Sequence, residues 1–328
     1  MNTSLLILPH IIINNANAWS SPYTVGFPSL TSIGGAVHCL QRKICSCGFP
    51  SIAFKNFGVV SHKFNLRESR SGYDSSIVLT GNPLVKDKKN PQKYTRPPFI
   101  AEIKCQMDIS LIIEFEGDVN ESSDLGNGFI ELIISTLHDS MRISSGDVIS
   151  FDRPRLIFHA NEPKVFRQKI VGLLMPGYAL IERKDLVKNS LDNQNDALDS
   201  LLDSLVINFE KDSAENPDAN SFEEFVINFE KDSAGTKNHK GWLVPICTGY
   251  MGVTSIVPHA LNQRDDCTPH RFVESMVTLG EFRMLHKFKE IRELLWRSNY
   301  IEKDNYYVYE QFDNSSLMDD ELDEDFFI

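Results

Sequence analysis

The chain has 328 residues, of which 41% are hydrophobic and 24% charged, and its formal net charge is −12. This length and apolar content exclude a disordered or fibrous chain and allow a full core in one large domain or two, while six cysteines in 328 residues exclude a disulfide-built scaffold and fit a reducing cytoplasm. The acidity does not exclude a nucleic-acid partner: residues 1–110 hold 12 Lys and Arg against 5 Asp and Glu, whereas residues 190–235 hold 2 against 12 and residues 311–328 hold 0 against 7, and salt confines each charge's reach to about 8 Å.

The first element is the run LLILPHIII from Leu5 to Ile13. It is too short for a membrane span and is interrupted by Pro9 and His10, so it predicts a buried strand and neither a signal peptide nor a membrane helix. A polar turn bearing aromatics and glycines follows from Asn14 to Gly35. Ile33, Ala36, Val37, Leu40 and Ile44 then recur at helical spacing and leave His38, Gln41 and Arg42 on a different face. Ser51 to Phe64 predicts a second strand or hairpin. Thr80 to Pro98 carries four prolines and five Lys or Arg, a composition that cannot build a core and reads as an exposed basic loop or projecting hairpin. Ile103 to Gly117 restores strand character, Phe129, Leu132, Ile133 and Leu137 give helical spacing, and MRISSGDVI is a polar turn with Arg142 and Gly146. Strand, helix, strand, loop, strand, helix is the order of a ferredoxin-like or RNA-recognition-like α+β unit.

Beyond it, a basic amphipathic segment runs from Lys164 to Leu174. The acidic block from 190 to 240 contains a direct repeat, LVINFEKDSA (Leu205 to Ala214) and FVINFEKDSA (Phe225 to Ala234). Two copies are too few for a solenoid, so the block is expected to be a surface insert. Gly241 to Val253 restores order. Arg271 to Tyr300 reads as largely helical, with Gly280 as a break and Arg271 ion-paired to Glu274. The acidic tail from 311 to 328 is expected to be flexible. These readings divide the chain into a core at 1–189 with an insertion near 80–98, an acidic insert at 190–240, a C-terminal part at 241–310 that packs on the core, and the tail.

Several residues suit a phosphate or a splayed base. Asn15, Asn17, Ser20 and Ser21 either hold the turn or hydrogen-bond RNA. Trp19 and Tyr23 can stack bases, whereas Phe27 suits the core. Gly34 and Gly35 suit either a phosphate at a helix start or close packing. His38 and Arg42 lie one turn apart and can reach one ligand. Lys86, Lys88, Lys89, Lys93 and Arg96 suit backbone phosphates, with Tyr94 for stacking and Arg142 as a further phosphate candidate. Trp242, Tyr250 and Trp296 are expected in the core or at a subunit contact. The alternative function is an endoribonuclease using His10, His38 and His62 as general acid and base, although nothing in the sequence places these together. Cys39, Cys45 and Cys47 lack paired zinc-ligand spacing, and no phosphate-loop or dinucleotide motif is present, so neither a metal nor a cofactor is expected.

The blocks LLILPHIIINNANAWSSPYTVGFPS, AVHCLQRK, SMRISSGDVI, LLMPGYALI, INFE, GWLVPICTGY and RFVESMVTLGEF, in this order from about residue 5 to residue 300, closely resemble the Csy-two (Cas-five type) subunits of type I-F CRISPR surveillance complexes. The resemblance implies a non-catalytic antiviral-defence protein whose ferredoxin-like core, of the repeat-associated RNA-binding (RAMP) type, bears a thumb-like hairpin at Thr80 to Pro98. It further implies partners: the 5′ repeat-derived handle of the guide RNA, the filament of backbone subunits that the protein caps, and the large subunit that inspects target DNA. No membrane partner is implied. The 80–98 loop, the duplicated insert and the tail depart from the family pattern.

Overall fold

The computed structural model describes residues 4–71, 74–80, 84–90, 92–95, 102–117, 119, 124–192, 196–205, 242–263, 267–301, 303 and 305–312. The repeat beyond Leu205 and the tail from 313 lie outside them. The architecture is mixed α and β, with one large antiparallel sheet and few helices. No helix of the described residues is long and apolar enough to cross a membrane.

The principal elements of the first half are β1 (Ser4–Asn17), α1 (Leu30–Ser46), β2 (Ala53–Leu66), β3 (Glu102–Glu116), α2 (Asp124–Ser140) and β4 (Gly146–Ser150). In the sheet, β1 lies between β4 and β3, and β3 lies between β1 and β2, all antiparallel. The near-continuous apolar run of β1 has a simple cause: both of its faces are covered. Leu6, Leu8, Ile11 and Ile13 pack with the stripe Ile33, Ala36, Val37, Leu40 and Ile44 of α1 and with Phe129, Ile133 and Leu137 of α2. Leu5 and Ile7 enter a second core on the opposite face. That face is capped by three short helical pieces, Pro163–Val165, Phe166–Val171 and Gly172–Leu174, which bury Phe166, Ile170 and Leu174 and leave Lys164, Arg167 and Lys169 exposed. Leu285, Ile291 and Leu294 complete the cap.

The second half adds β5 (Tyr178–Glu182), α3 (Lys184–Asp192), α4 (Ala197–Leu205), β6 (Trp242–Gly252), β7 (Val273–Met284), β8 (Trp296–Ile301) and β9 (Tyr306–Gln311). Their pairings run β2, β5, β7, β6, β9, β8 and return to β2, a closed cycle of six strands. Two strands share one edge of β2: Tyr178 and Ala179 pair with Ser61 and Val60, and Trp296 and Arg297 pair with Phe57 and Asn56. Inside the cycle, the fully buried Trp296 donates its indole N–H to the Leu180 carbonyl at 3.0 Å, as a buried indole requires. Arg183 joins β5 to β7, holding Asp185 at 2.8 Å and Glu281.

Two sequence expectations are corrected. β1 does not end at Ile13 but continues through Asn17, followed by a small hairpin of Trp19–Ser21 with Thr24–Val25. The acidic block, read as a surface insert, opens with helices α3 and α4. Arg271 to Tyr300 is not helical: it holds β7, two single helical turns at Leu285–Lys287 and Ile291–Leu294, and β8. Leu279, Gly280, Glu281 and Phe282 are consecutively buried, so the period-2 signal is erased and the apolar spacing imitates a helix. Gly280 does not break an element; it sits mid-strand where a side chain would press on Ile246. Arg271 bonds the Thr254 carbonyl and Asn305, while Glu274 is taken by Tyr23.

Two predictions follow from this packing. Trp296→Ala removes the largest buried side chain of the ring and orphans a carbonyl, and is expected to cost about 3–5 kcal/mol; the shift of the urea midpoint measures it, and a loss under about 1 kcal/mol would show a loosely packed interior. Glu182 is buried beside Gln311, whose backbone N–H it accepts at 3.3 Å, and burial raises its pKa against the opposing pull of Lys184. A raised native pKa means that the stabilising contribution is complete below the unfolded value and is lost as pH rises through the native one. Glu182→Gln is therefore expected to be more stable than the parent near pH 7, with the gain vanishing toward about pH 4; equal stability curves across that range would refute this.

Candidate nucleic-acid interface

Backbone geometry at the end of β1 separates two asparagines that a regular strand would place on one face. The register with β3 runs Ile13 to Met107, then Ala16 to Cys105, so a bulge lies between them, and Asn15 takes the left-handed conformation at φ 57°, which Asn tolerates. Asn15 lines a groove of about 150 Å³ with Asn65, Arg67, Lys104 and Gln106. Asn14 buries its side-chain oxygen without a hydrogen-bond partner. Asn17 resumes the strand and holds the turn, donating to the Trp19 carbonyl and accepting from its N–H, both at 3.1 Å.

Asn17 also lines the larger cleft, about 320 Å³, with Ser29, Ser32, Gly35, Cys39, Arg142, Ser144 and Ser145. Three elements build it. Ser29 caps α1, its hydroxyl accepting from the Ser32 N–H, which is the usual role of Ser at that position. Ser144 and Ser145, at φ 50° and 65°, form the tight turn between Arg142–Ile143 and β4, a twist suited to a two-residue hairpin. The turn is tied down by the Asn17 N–H donating to the Ser144 carbonyl at 2.8 Å and by a 2.7 Å contact between the Ser32 and Ser144 hydroxyls. At the rim, Arg142 meets Asp147 at 3.1 Å with both side chains largely exposed. Such a pair contributes at most about 1 kcal/mol and exchanges readily for a phosphate. The first turn of α1 carries no acidic residue to oppose its positive dipole end. Gly35, Cys39 and Arg42 follow one ridge of α1 at i, i+4 and i+7, leading from the cleft to an exposed guanidinium.

A family model for the CRISPR-associated protein Csy2 matches residues 6–309, from within β1 to the second half of β9. The chain belongs to the Csy2 family. It is also 31% identical over 314 residues to the CRISPR-associated protein Csy2 of Pseudomonas aeruginosa (strain UCBPP-PA14), covering 89% of this chain and 90% of that protein.

In this member of the Csy2 family the remaining candidates fall into distinct places. Ser20 and Ser21 are committed within the small hairpin: their hydroxyls lie 2.8 and 2.7 Å from the Thr24 hydroxyl, and Ser21 is buried. Trp19 is 42% and Tyr23 74% exposed, so both rings are open to a stacking partner, although the Tyr23 hydroxyl donates to Glu274 at 3.0 Å and is held above its ordinary pKa by that carboxylate. Phe27 is buried between Phe64 and Phe282. His38 is exposed on α1 and is not among the cleft's lining residues. Lys86, Lys88, Lys89, Lys93 and Tyr94 are all exposed, around a hairpin of Val85–Lys86 with Tyr94–Thr95; Arg96 lies outside the described residues. Trp296 is a core residue, whereas Trp242 is exposed at 59%.

Of the two readings of the glycines, the phosphate site at a helix start fails and close packing holds at Gly34. α1 begins at Leu30, so Gly34 and Gly35 lie in its second turn, beyond the four free amides of a helix start. Gly34 is instead a close-approach site, where a Cβ would run into the Tyr309 ring, while Gly35 faces open space. Asn65, Arg67, Lys104 and Gln106 were absent from the candidates. The signal for Lys104 and Gln106 was the alternation Lys104, Gln106, Asp108 in β3, a polar row facing away from the core residues Cys105, Met107 and Ile109. Burial pushes the Cys105 thiol to about 12, so it is a core group rather than a reactive one.

The two glycines should separate cleanly. Gly34→Ala is expected to destabilise by about 1–3 kcal/mol through overpacking, whereas Gly35→Ala should be neutral or stabilise by up to about 1 kcal/mol through helix propensity. Thermal denaturation of both variants measures this, and equal effects would contradict the assigned contacts.

Proposed function

We propose that this chain is the non-catalytic subunit of a type I-F CRISPR surveillance complex that holds the 5′ repeat-derived handle of the guide RNA, caps the backbone filament and pairs with the large subunit for target DNA recognition. The observation that carries the reading is the cleft where the capped start of α1 meets the Arg142 hairpin and the end of β1. It combines an unopposed helix dipole, hydroxyl and amide groups, and a loosely paired arginine, the chemistry of single-stranded RNA backbone recognition. Membership of the Csy2 family supplies the CRISPR context. In the reading adopted here, β1, α1, β2, β3, α2 and β4, with spatial order fourth, first, third, second, form the ferredoxin-like core of RNA-binding proteins of this type, and the basic hairpin around Lys86 to Tyr94 is the thumb.

At this cleft the geometry favours binding over the endoribonuclease alternative. The cleft's lining residues include no imidazole or carboxylate to move a proton, and His10 and His62 lie on the other face of the sheet from α1, with His38 apart from them.

The test is a titration of the protein with an RNA oligonucleotide carrying the guide's 5′ repeat-derived end at several salt concentrations. Replacing Arg42 and Arg142 together by Ala is expected to weaken binding by about tenfold or more and to flatten the salt dependence by about 1.4, since each single-stranded phosphate contact contributes roughly 0.7 to that slope. Unchanged affinity and slope would remove the cleft from the RNA path.

A further inference from the structure

The sheet face opposite α1 carries a cluster that the RNA reading does not use. Its origin is a pair of bulges flanking one point of the central strand. Along β1 the register with β3 passes from Leu8–Leu111 to Ile11–Ile109, which leaves Pro9 and His10 against Ser110. Along β2 it passes from Lys63–Asp108 to Ser61–Ile109, which leaves His62 unpaired. A bulge re-aims the side chain it releases, and here each releases a histidine. His10 adopts the left-handed backbone at φ 46°, a conformation that costs energy outside Gly and is concentrated at functional sites. The two imidazoles stack at 4.0 Å between centroids.

The rest of the surroundings suit a metal ligand set. His10 Nδ1 is 3.2 Å from both oxygens of Asp108. His62 Nδ1 donates to the Pro176 carbonyl at 2.7 Å, and its other nitrogen meets the Ser110 hydroxyl at 2.7 Å. An imidazole whose first nitrogen is engaged by a backbone carbonyl has its second oriented as a ligand. One ligand atom each from His10, His62 and Asp108 lies within 4.8 Å of the other two, and small side-chain rotations bring such a set to the roughly 3.3 Å spacing implied by bonds of about 2.0–2.1 Å.

We propose that His10, His62 and Asp108 form a binding site for a single divalent transition-metal ion of the zinc type. Two nitrogens and one carboxylate select Zn²⁺ or its neighbours over Mg²⁺ and Ca²⁺, which take all-oxygen sites, and three protein ligands leave a tetrahedral ion one open position. The ion would fasten β1, β2 and β3 together where their ladders are interrupted. The three ligands are separated by about fifty residues each in the chain and carry no sequence motif.

The test uses the purified full-length chain, stripped with a chelator and titrated with Zn²⁺ alone and with Co²⁺ alone, followed by calorimetry and by the visible absorption of bound Co²⁺. One equivalent is expected to bind with a Co²⁺ band of low-symmetry coordination. Asp108→Asn, which preserves side-chain shape, and His62→Gln should each weaken affinity at least tenfold and abolish the band, while the exposed His259→Gln leaves both unchanged. Absence of stoichiometric binding to the parent chain, or binding and absorption unaltered in the Asp108 and His62 variants, would overturn the site.

Discussion

The structure depends on the pairing of β2. One edge of this strand is bonded along its length to β3, and the other is divided between β5 at Val60 and Ser61 and β8 at Asn56 and Phe57. Gly58 sits at the handover, where a side chain would strike the Leu294 carbonyl. Because β2 serves both the helix-backed sheet and the six-strand cycle, the two halves of the chain share one continuous hydrogen-bonded surface. The edge that an open sheet would expose to other strands is consumed internally.

The second organising feature is the two-sidedness of β3. Its odd-numbered residues from Ile103 to Phe115 enter the core beneath α1 and α2, and its even-numbered residues face the other way: Lys104 and Gln106 in a polar groove, Asp108 and Ser110 beside two histidines, Ile112 in the second core. A strand whose faces alternate thus presents different chemistry on each side without any loop having to supply it. The cleft at the start of α1 is likewise set on helix, strand and tight turn, and such positions hold side chains more firmly than long loops do.

Much of this was legible in the residues. The covered faces of β1, the stripe of α1, the second strand and the β3 alternation all follow from apolar periodicity, and the family blocks were recognisable in order. The readings that failed share one cause. Where burial is continuous, as at Leu279 to Phe282, or where a bulge intervenes, as at Asn14 and Asn15, periodicity ceases to report the element. Gly34 illustrates the same limit, because a residue's neighbours in the chain do not disclose that Tyr309 will lie across it.

The sequence by itself determined which segments are apolar on one face or both, where charge concentrates, and to which family the chain belongs, because these are properties of local order along the chain. Only the tertiary structure decided that the strands of the second half close onto β2, that Arg142 and Asn17 face one cleft while Asn15 faces another groove, and that His10 and His62 meet over Asp108. Those outcomes are fixed by strand register and by the placement of bulges, which arise from partners distant in the chain.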